Sequence, residues 1–391
     1  MRQAVILAAG EGQRLRPFTV NRPKVMLSIA GKPILQYVIE ALAQKGIRDI
    51  VLVVGYHKEQ VLDYFGSGEL FGVDLTYVTQ ERQLGTAHAL ARAKKAIKDS
   101  FLVLPGDNLI TAETIDRFGA IEPEAVLVKK VDNPMRYGVV TVRHGKVSEI
   151  IEKPEEAASN LVSTGIYAFS QAIFDFVEPQ LDLPDVANRM IGQGQKIQAV
   201  ETGGAWLDAI YPWDILNLNA AILQQAQASS AGTIEAGVSI KGQVSIGNGT
   251  VIRSNSYIAG PVVIGEGCDI GPGVCIFPAT SIGNNVVVAP FTEVKNSVIG
   301  SDVSIGPGSI IEDSVIDNGC DIKGQFSACR GQEEVAIDHE RHTVSFGAML
   351  GEGCVLGNSV VAQPGVIVGN YSQIRSLKLI SGRLPDRSLV V

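Results

Sequence analysis

Two hydrophobic rhythms divide this chain of 391 residues. Over residues 1–229, short apolar runs alternate with segments whose apolar positions recur at helical spacing. VILA, IVLVVG, DLTYVT, FLVLPG and AVLVKKV are rich in β-branched residues and read as strands. Between them, PILQYVIEALAQKG puts Ile34, Leu35, Val38, Ile39 and Leu42 on one helical face and stops at Gly46. TAHALARAKKAI is a second helical segment, and YPWDILNLNAAILQQAQ closes the series before the linker SSAGT. This alternation predicts an α/β domain of Rossmann-like type, a mostly parallel sheet covered by helices.

From Ile234 the apolar residue falls at every sixth position: Ile234, Ile240, Ile246, Ile252, Ile258, Ile264, Ile270, Ile276, Ile282, Val288 and Val294. Small residues stand four positions later, as at Thr250, Cys268, Thr280 and Thr292. The register slips by one at Ile299 and Ile316, then resumes at Val344, Leu350, Leu356, Ala362 and Val368 after an irregular insertion over 325–343. Neither a helix nor an alternating strand has this period. It predicts a solenoid of hexapeptide repeats over 230–391, a left-handed parallel β-helix whose rungs bury the aliphatic residue.

Composition narrows the functional classes. The net charge of −8 argues against nucleic-acid or anionic-membrane partners, which call for a basic surface. No run approaches the length of a membrane span, and the N-terminal residues read as strand rather than export signal. The five cysteines lack a CxxC pair and read as small, reduced core residues, so a soluble cytoplasmic protein is expected.

Against that acidic background, LAAGEGQRLRPFTVNRPK sets Arg14, Arg16, Arg22 and Lys24 on a Gly-rich connection directly after the first strand. Gly10 and Gly12 are followed by Leu15, so the GxGxxG fingerprint fails, as does the P-loop pattern. What remains is a turn over Leu7, Ala8, Ala9, Gly10 and Gly12 whose backbone N–H groups can face an anion clamped by Arg14 and Lys24. In TQERQLGTAHA, Gln80 precedes Gly85 and Thr86; a side-chain amide can pair with a base edge. Asp107 in LPGDN and Asp208 in WLDAIYPWD are strand-end carboxylates, which are costly to bury unless paired with a cation. Glu152 and Lys153 stand together at another strand end.

In this order LAAGEGQRLRP, PK at 23–24, QxxxxGT at 80–86, GD at 106–107, YGVV at 137–140, EKP at 152–154, TGIY at 164–167 and WLD at 206–208 resemble the sugar-1-phosphate nucleotidylyltransferases. With the solenoid, the whole chain resembles archaeal-type members, both glucose-1-phosphate thymidylyltransferases and bifunctional N-acetylglucosamine-1-phosphate uridylyltransferases. The resemblance implies transfer of a nucleotidyl group from UTP or dTTP to a sugar 1-phosphate. Arg14 would hold the triphosphate, Lys24 would stand near the reacting phosphates, and Asp107 and Asp208 would bind Mg²⁺. Gln80, Gly85 and Thr86 would take the base together with the residues from Leu7 to Gly12. Lys153 would hold the sugar phosphate, and Gly138, Glu152, Thr164 and Gly165 would line the sugar pocket.

Three departures refine the expectation. Ser163 stands where uridylyltransferases of N-acetylglucosamine-1-phosphate usually carry Asn, and Leu183-Pro184-Asp185 where they favour ITD, which shifts the expected sugar to glucose-1-phosphate. Pro307 and Ile310 stand where bifunctional relatives carry the His and Tyr of acetyl transfer, and His339 and His342 in DHERH read as a solvated loop. A mannose-1-phosphate guanylyltransferase and a non-catalytic regulatory subunit are weaker alternatives. The solenoid is then an oligomerisation element, expected to form a homotrimer with Val263, Val287 and Val298 facing outward. A chain ending near Ser230 would be smaller than a trimer yet keep some transfer activity.

Overall fold

A computed structural model describes residues 1–391 apart from 117, 119, 120 and 339. Contacts group the chain into two compact units. The first contains Met1–Glu11, Arg22–Met26 and Ile34–Asp208; the second contains Gly12–Asn21, Leu27–Pro33 and Ala209–Val391. The pattern change at 229/230 is therefore not where the compact units part. The closing helix and two pieces of the N-terminal connection associate with the solenoid.

The first unit is built on a sheet of nine strands among the described residues: β1 (Gln3–Ala8), β2 (Asp49–Val54), β3 (Asp74–Thr79), β4 (Phe101–Pro105), β5 (Ala125–Lys130), β6 (Gly138–Arg143), β7 (Lys146–Glu152), β8 (Leu161–Phe169) and β9 (Gln198–Glu201). Their order is β3-β2-β1-β4-β8-β5-β9-β7-β6. The first four are parallel, with Ile6 opposite both Leu52 and Leu104. β8 runs antiparallel to β4 and β5, and β7 antiparallel to β9 and β6, so the other half of the sheet is mixed.

Both faces of the parallel half are covered, which explains its continuous apolar runs. On one face Ala4, Ile6 and Ala8 pack with α1 (Ile34–Gln44), whose five expected core positions are all fully buried. On the other, Val5, Val51 and Val103 pack with helices over Thr86–Ala93 and Leu183–Gly192. Burial of side chains of this size stabilises by roughly 1.5–3 kcal/mol each before chain entropy is charged against it.

In the second unit the six-residue period becomes three parallel sheets that share one apolar interior. Ile246, Ile264, Ile282, Ile299, Ile316, Leu350 and Val368 stack in register along one of them. Cys268, Cys320 and Cys354 fill the small-residue slot and are buried and free, whereas Cys275 is half-buried and Cys329 exposed, so not all five are core residues. Val344 is not a rung. It pairs with Glu333 in an antiparallel hairpin, Gly331–Ile337 with Glu340–Phe346, inserted between coils. The repeat itself continues through Ala328, opposite Ile311, so the insertion starts later than the sequence pattern suggests and is regular.

The hairpin is anchored by aromatic packing. His342 lies 4.4 Å from the Tyr211 ring, and Trp213 stacks on Phe346 at 5.8 Å, so His342 is not in a solvated loop; His339 lies outside the described residues. The helix over Asp214–Leu223 packs on the first solenoid sheet through Asn219, which donates to Ala279 O at 2.9 Å and accepts from Ser281 Oγ at 2.7 Å. Val298 is consequently buried, while Val287 remains exposed and Val263 is half-buried. Among the described residues no helix is long and apolar enough to cross a membrane.

Candidate active site at the strand ends

The strands β1 and β4 end side by side. Gly106 N donates to Leu7 O at 2.8 Å, tying the GD turn onto β1. A Cβ on Gly106 would stand 3.1–3.2 Å from Ile6 and Ala8, so a glycine suits this approach. Beyond it, Asn108–Ile110 pairs antiparallel with Trp206–Asp208, with Asp208 opposite Asn108. This short ribbon brings together two aspartates that are far apart in sequence.

Lys24 completes the cluster. Its Nζ donates to Asp107 Oδ2 at 2.7 Å and to Asp208 Oδ1 at 2.8 Å. The lysine side chain is 12% exposed and the aspartates 33% and 20%, so this is a partly buried triad rather than a surface pair. Burial alone would lower the lysine pKa, but attraction and hydrogen bonds from Asp107 and Asp208 outweigh it and hold the ammonium charged well above its ordinary range. Two carboxylates thus converge on one point where positive charge is required. Among the described residues no group of three or more His, Cys, Asp or Glu side chains could hold a metal. A cation at this point would take the rest of its oxygens from substrate and water, which is the habit of Mg²⁺.

Gln80 follows the end of β3 and is 3% exposed. Its Nε2 lies 3.1 Å from Gly85 O and 2.8 Å from His88 Nδ1. Gly85 has φ +131°, and an added Cβ would collide with Leu181 O and stand 2.8 Å from Asp182 Oδ1. Thr86 donates to Asp182 Oδ1 through its N–H at 3.0 Å and its hydroxyl at 3.2 Å, while Leu183 N donates to Thr86 Oγ1 at 2.9 Å. Leu181 O accepts from Ala87 N at 2.8 Å. The start of the helix over Thr86–Ala93 is therefore capped by residues 181–182, and the Thr86 hydroxyl is engaged within the protein.

The remaining motifs meet around Trp206. Its Nε1 donates to Thr164 O at 3.1 Å, and its ring lies 5.1 Å from that of Tyr137. The Thr164 hydroxyl donates to Leu127 O, and Gly165, at φ +76°, would put a Cβ 3.2 Å from Pro105. Gly138 pairs with Glu152, whose Oε2 would stand 3.0 Å from a Cβ there. Lys153 N donates to Tyr137 O, with Lys153 in the left-handed region. Glu152 is exposed as a residue, yet partial desolvation of its carboxyl, with Asp182 and Asp185 nearby, raises its pKa against the opposing pull of Lys153. Ser163 Oγ donates to the Tyr167 hydroxyl at 3.3 Å.

The glycine-rich connection divides between the units. Leu7, Ala8, Ala9 and Gly10 belong to the first, with Ala9 O accepting from Tyr56 N. Gly12, left-handed at φ 71°, and Arg14 belong to the second, where Arg14 Nε lies 3.3 Å from Asp338 Oδ2 at the hairpin tip. Thus Lys24, Asp107 and Asp208 come together directly, whereas Arg14 is engaged elsewhere in its own unit.

The sequence model of the family described as "Nucleotidyl transferase" matches residues 3–225. This chain belongs to that family. A second model, "GMPPB C-terminal domain", matches residues 258–340 of the solenoid. Among relatives of the transferase, the "Bifunctional protein GlmU" of Methanococcus maripaludis is 37% identical over 99% of this chain and 96% of its own length. The "Bifunctional sugar-1-phosphate nucleotidylyltransferase/acetyltransferase" of Sulfurisphaera tokodaii is 34% identical over 95% of each. A solved Bacillus anthracis structure, assigned as a glucose-1-phosphate thymidylyltransferase in complex with a sucrose, matches with TM-score 0.53. It is 30% identical and covers 58% of this transferase and 97% of that chain.

Two side chains of the transferase site escaped the sequence reading: His88 against Gln80, and Asp182 across the helix starts. Both sit within or next to quoted motifs. Their polar partners come from tertiary packing, which no local spacing specifies.

Proposed function

We propose that this nucleotidyl transferase moves the nucleotidyl group of UTP or dTTP to a sugar 1-phosphate, glucose-1-phosphate foremost, and releases pyrophosphate. The observation that carries this reading is the convergence of Lys24, Asp107 and Asp208 at the carboxyl ends of parallel strands, the usual ligand side of such sheets. The names of the relatives, a sugar-1-phosphate nucleotidylyltransferase and a glucose-1-phosphate thymidylyltransferase, support the acceptor class.

A sugar-phosphate oxygen attacks the α-phosphorus in line, the bond to the β-phosphate oxygen breaks, and pyrophosphate leaves with the electron pair. Such transfer needs positioning and charge neutralisation more than covalent chemistry. Asp107 and Asp208 would hold Mg²⁺, which supplies charge neutralisation when bound. Lys24, kept cationic by both carboxylates, offers its ammonium to phosphate oxygens, while Lys153 holds the sugar phosphate. Gln80 and Gly85 take the base beside Leu7–Gly10; Thr86 shapes that wall rather than donating to it. Gly138, Glu152 and Gly165 face the sugar, with Thr164 bracing them through its backbone. Ser163, turned to Tyr167, offers no amide to an N-acetyl group, which favours glucose.

Relatives named bifunctional suggest acetyl transfer as a second activity. Pro307 and Ile310 supply no base, and general-base help is worth about 10²–10⁴-fold. We therefore propose that the solenoid serves assembly as a homotrimer. The test is pyrophosphate release with UTP, dTTP, GTP, ATP and CTP against glucose-, N-acetylglucosamine-, galactose- and mannose-1-phosphates, with and without EDTA. Preference for GTP, or full activity in EDTA, would overturn the reading.

A further inference from the structure

We infer that His88 is a positioning residue that locks the Gln80 amide with its carbonyl oxygen toward the base, so that the site demands a base edge that donates, the N3–H of uracil or thymine. The inference rests on the reading that Gln80 takes the base.

Hydrogen-bond logic determines the orientation. Gly85 O, 3.1 Å from the amide terminus, can only accept, so that terminus must be the NH₂ group. The NH₂ can only donate, so His88 Nδ1, at 2.8 Å, must accept. In neutral His88 the proton then resides on Nε2, and the approach of Arg92 Nη2 at 3.3 Å is a contact rather than a bond from the guanidinium. Both amide hydrogens are thereby engaged. Oε1 has no hydrogen-bond partner among the described residues, although the side chain is almost wholly buried. An acceptor left open to a ligand on an otherwise buried side chain rewards a donor and opposes another acceptor. The N3 of uracil or thymine carries hydrogen; that of cytosine carries a lone pair. Without His88, one amide hydrogen would be released and only the bond to Gly85 O would oppose turning of the amide, so the oxygen would be held less firmly toward the base.

The experiment compares kcat/KM for UTP, dTTP and CTP in wild-type full-length protein and in His88→Ala, His88→Asn and Gln80→Ala. Melting temperatures check that each variant is folded. His88→Ala should raise KM for UTP and dTTP more than it lowers kcat, and should reduce discrimination against CTP by about tenfold or more. His88→Asn, whose Oδ1 replaces the Nδ1 acceptor, should restore most of that discrimination. Folded His88→Ala with unchanged discrimination, or with equal losses for all three nucleotides, would overturn the inference. So would failure of the Asn variant to rescue. If Gln80→Ala also leaves nucleotide preference untouched, the base-reading role of Gln80 fails and takes the inference with it.

Discussion

Lys24 concentrates the electrostatics of the site in one atom. Two aspartates within 2.8 Å stabilise its charge, and the same ammonium prevents them from repelling each other. Replacing it by Met leaves two facing carboxylates, and loss of one partner of a buried ionic group costs about 3 kcal/mol or more. Unfolding in urea at neutral pH should report that loss, and turnover should fall by orders of magnitude. Because the folded-state pKa of Lys24 lies above its unfolded value, its contribution is complete below the pKa of a free lysine, about 10.4. It declines as pH rises toward the folded-state value, so the stability gap between wild type and Lys24→Met should narrow in alkali. Gly85 makes a different demand. Its φ of +131° and the wall at Leu181 mean that Gly85→Ala should destabilise by about 1–3 kcal/mol, measured by the same unfolding.

At the scale of elements, two helix starts cap each other. Asp182, the N-cap of the helix over Leu183–Gly192, accepts from Thr86, and Thr86 accepts from Leu183. The carboxylate also lies at the positive end of the helix over Thr86–Ala93. Asp182→Ala and Thr86→Val should each cost about 0.5–2 kcal/mol, and the double variant should cost less than their sum because the bonds are shared. A denaturation double-mutant cycle reads this directly. The hairpin over 331–346 is held by Phe346 and Trp213 rather than by its tip. The Arg14–Asp338 pair is exposed, with side chains 42% and 59% accessible, so Asp338→Ala should shift stability by less than about 1 kcal/mol.

For the whole molecule, the second unit sets what can be removed and what can associate. It includes Gly12–Asn21 and Leu27–Pro33, with Pro17 O accepting from Asn370 and Ala30 N donating to Asn219. A chain ending near Ser230 would strip Asn370 from Pro17 and Ala279 and Ser281 from Asn219. It should therefore be markedly less stable than full-length protein, with little transfer activity retained. One solenoid sheet is already covered, as the burial of Val298, Val315, Met349 and Ile367 records. A trimer would have to use the other two, where Val287, Val355, Val361 and Leu379 are exposed. Val361→Glu with Leu379→Glu should lower the mass seen by light scattering while circular dichroism stays unchanged.

Periodicity was legible from residue order alone because helix, strand and solenoid coil each repeat at a spacing set by backbone geometry. The core face of α1, the parallel strands through β4 and the stack from Ile246 to Val294 follow from that spacing. So did the expectation that Asp107 and Asp208 need a cation, met here by Lys24, since charge at an apolar strand end must be neutralised. What residue order could not contain was the set of partners. Val344 fits the six-residue rhythm yet lies in a hairpin, because two antiparallel strands can satisfy their own backbone without a rung. The Thr86 hydroxyl is turned toward Asp182, and the Gln80 amide is set by His88 and Gly85. These outcomes belong to tertiary structure because a buried polar group bonds whatever folding brings within 3 Å, and sequence distance has no bearing on which group that is.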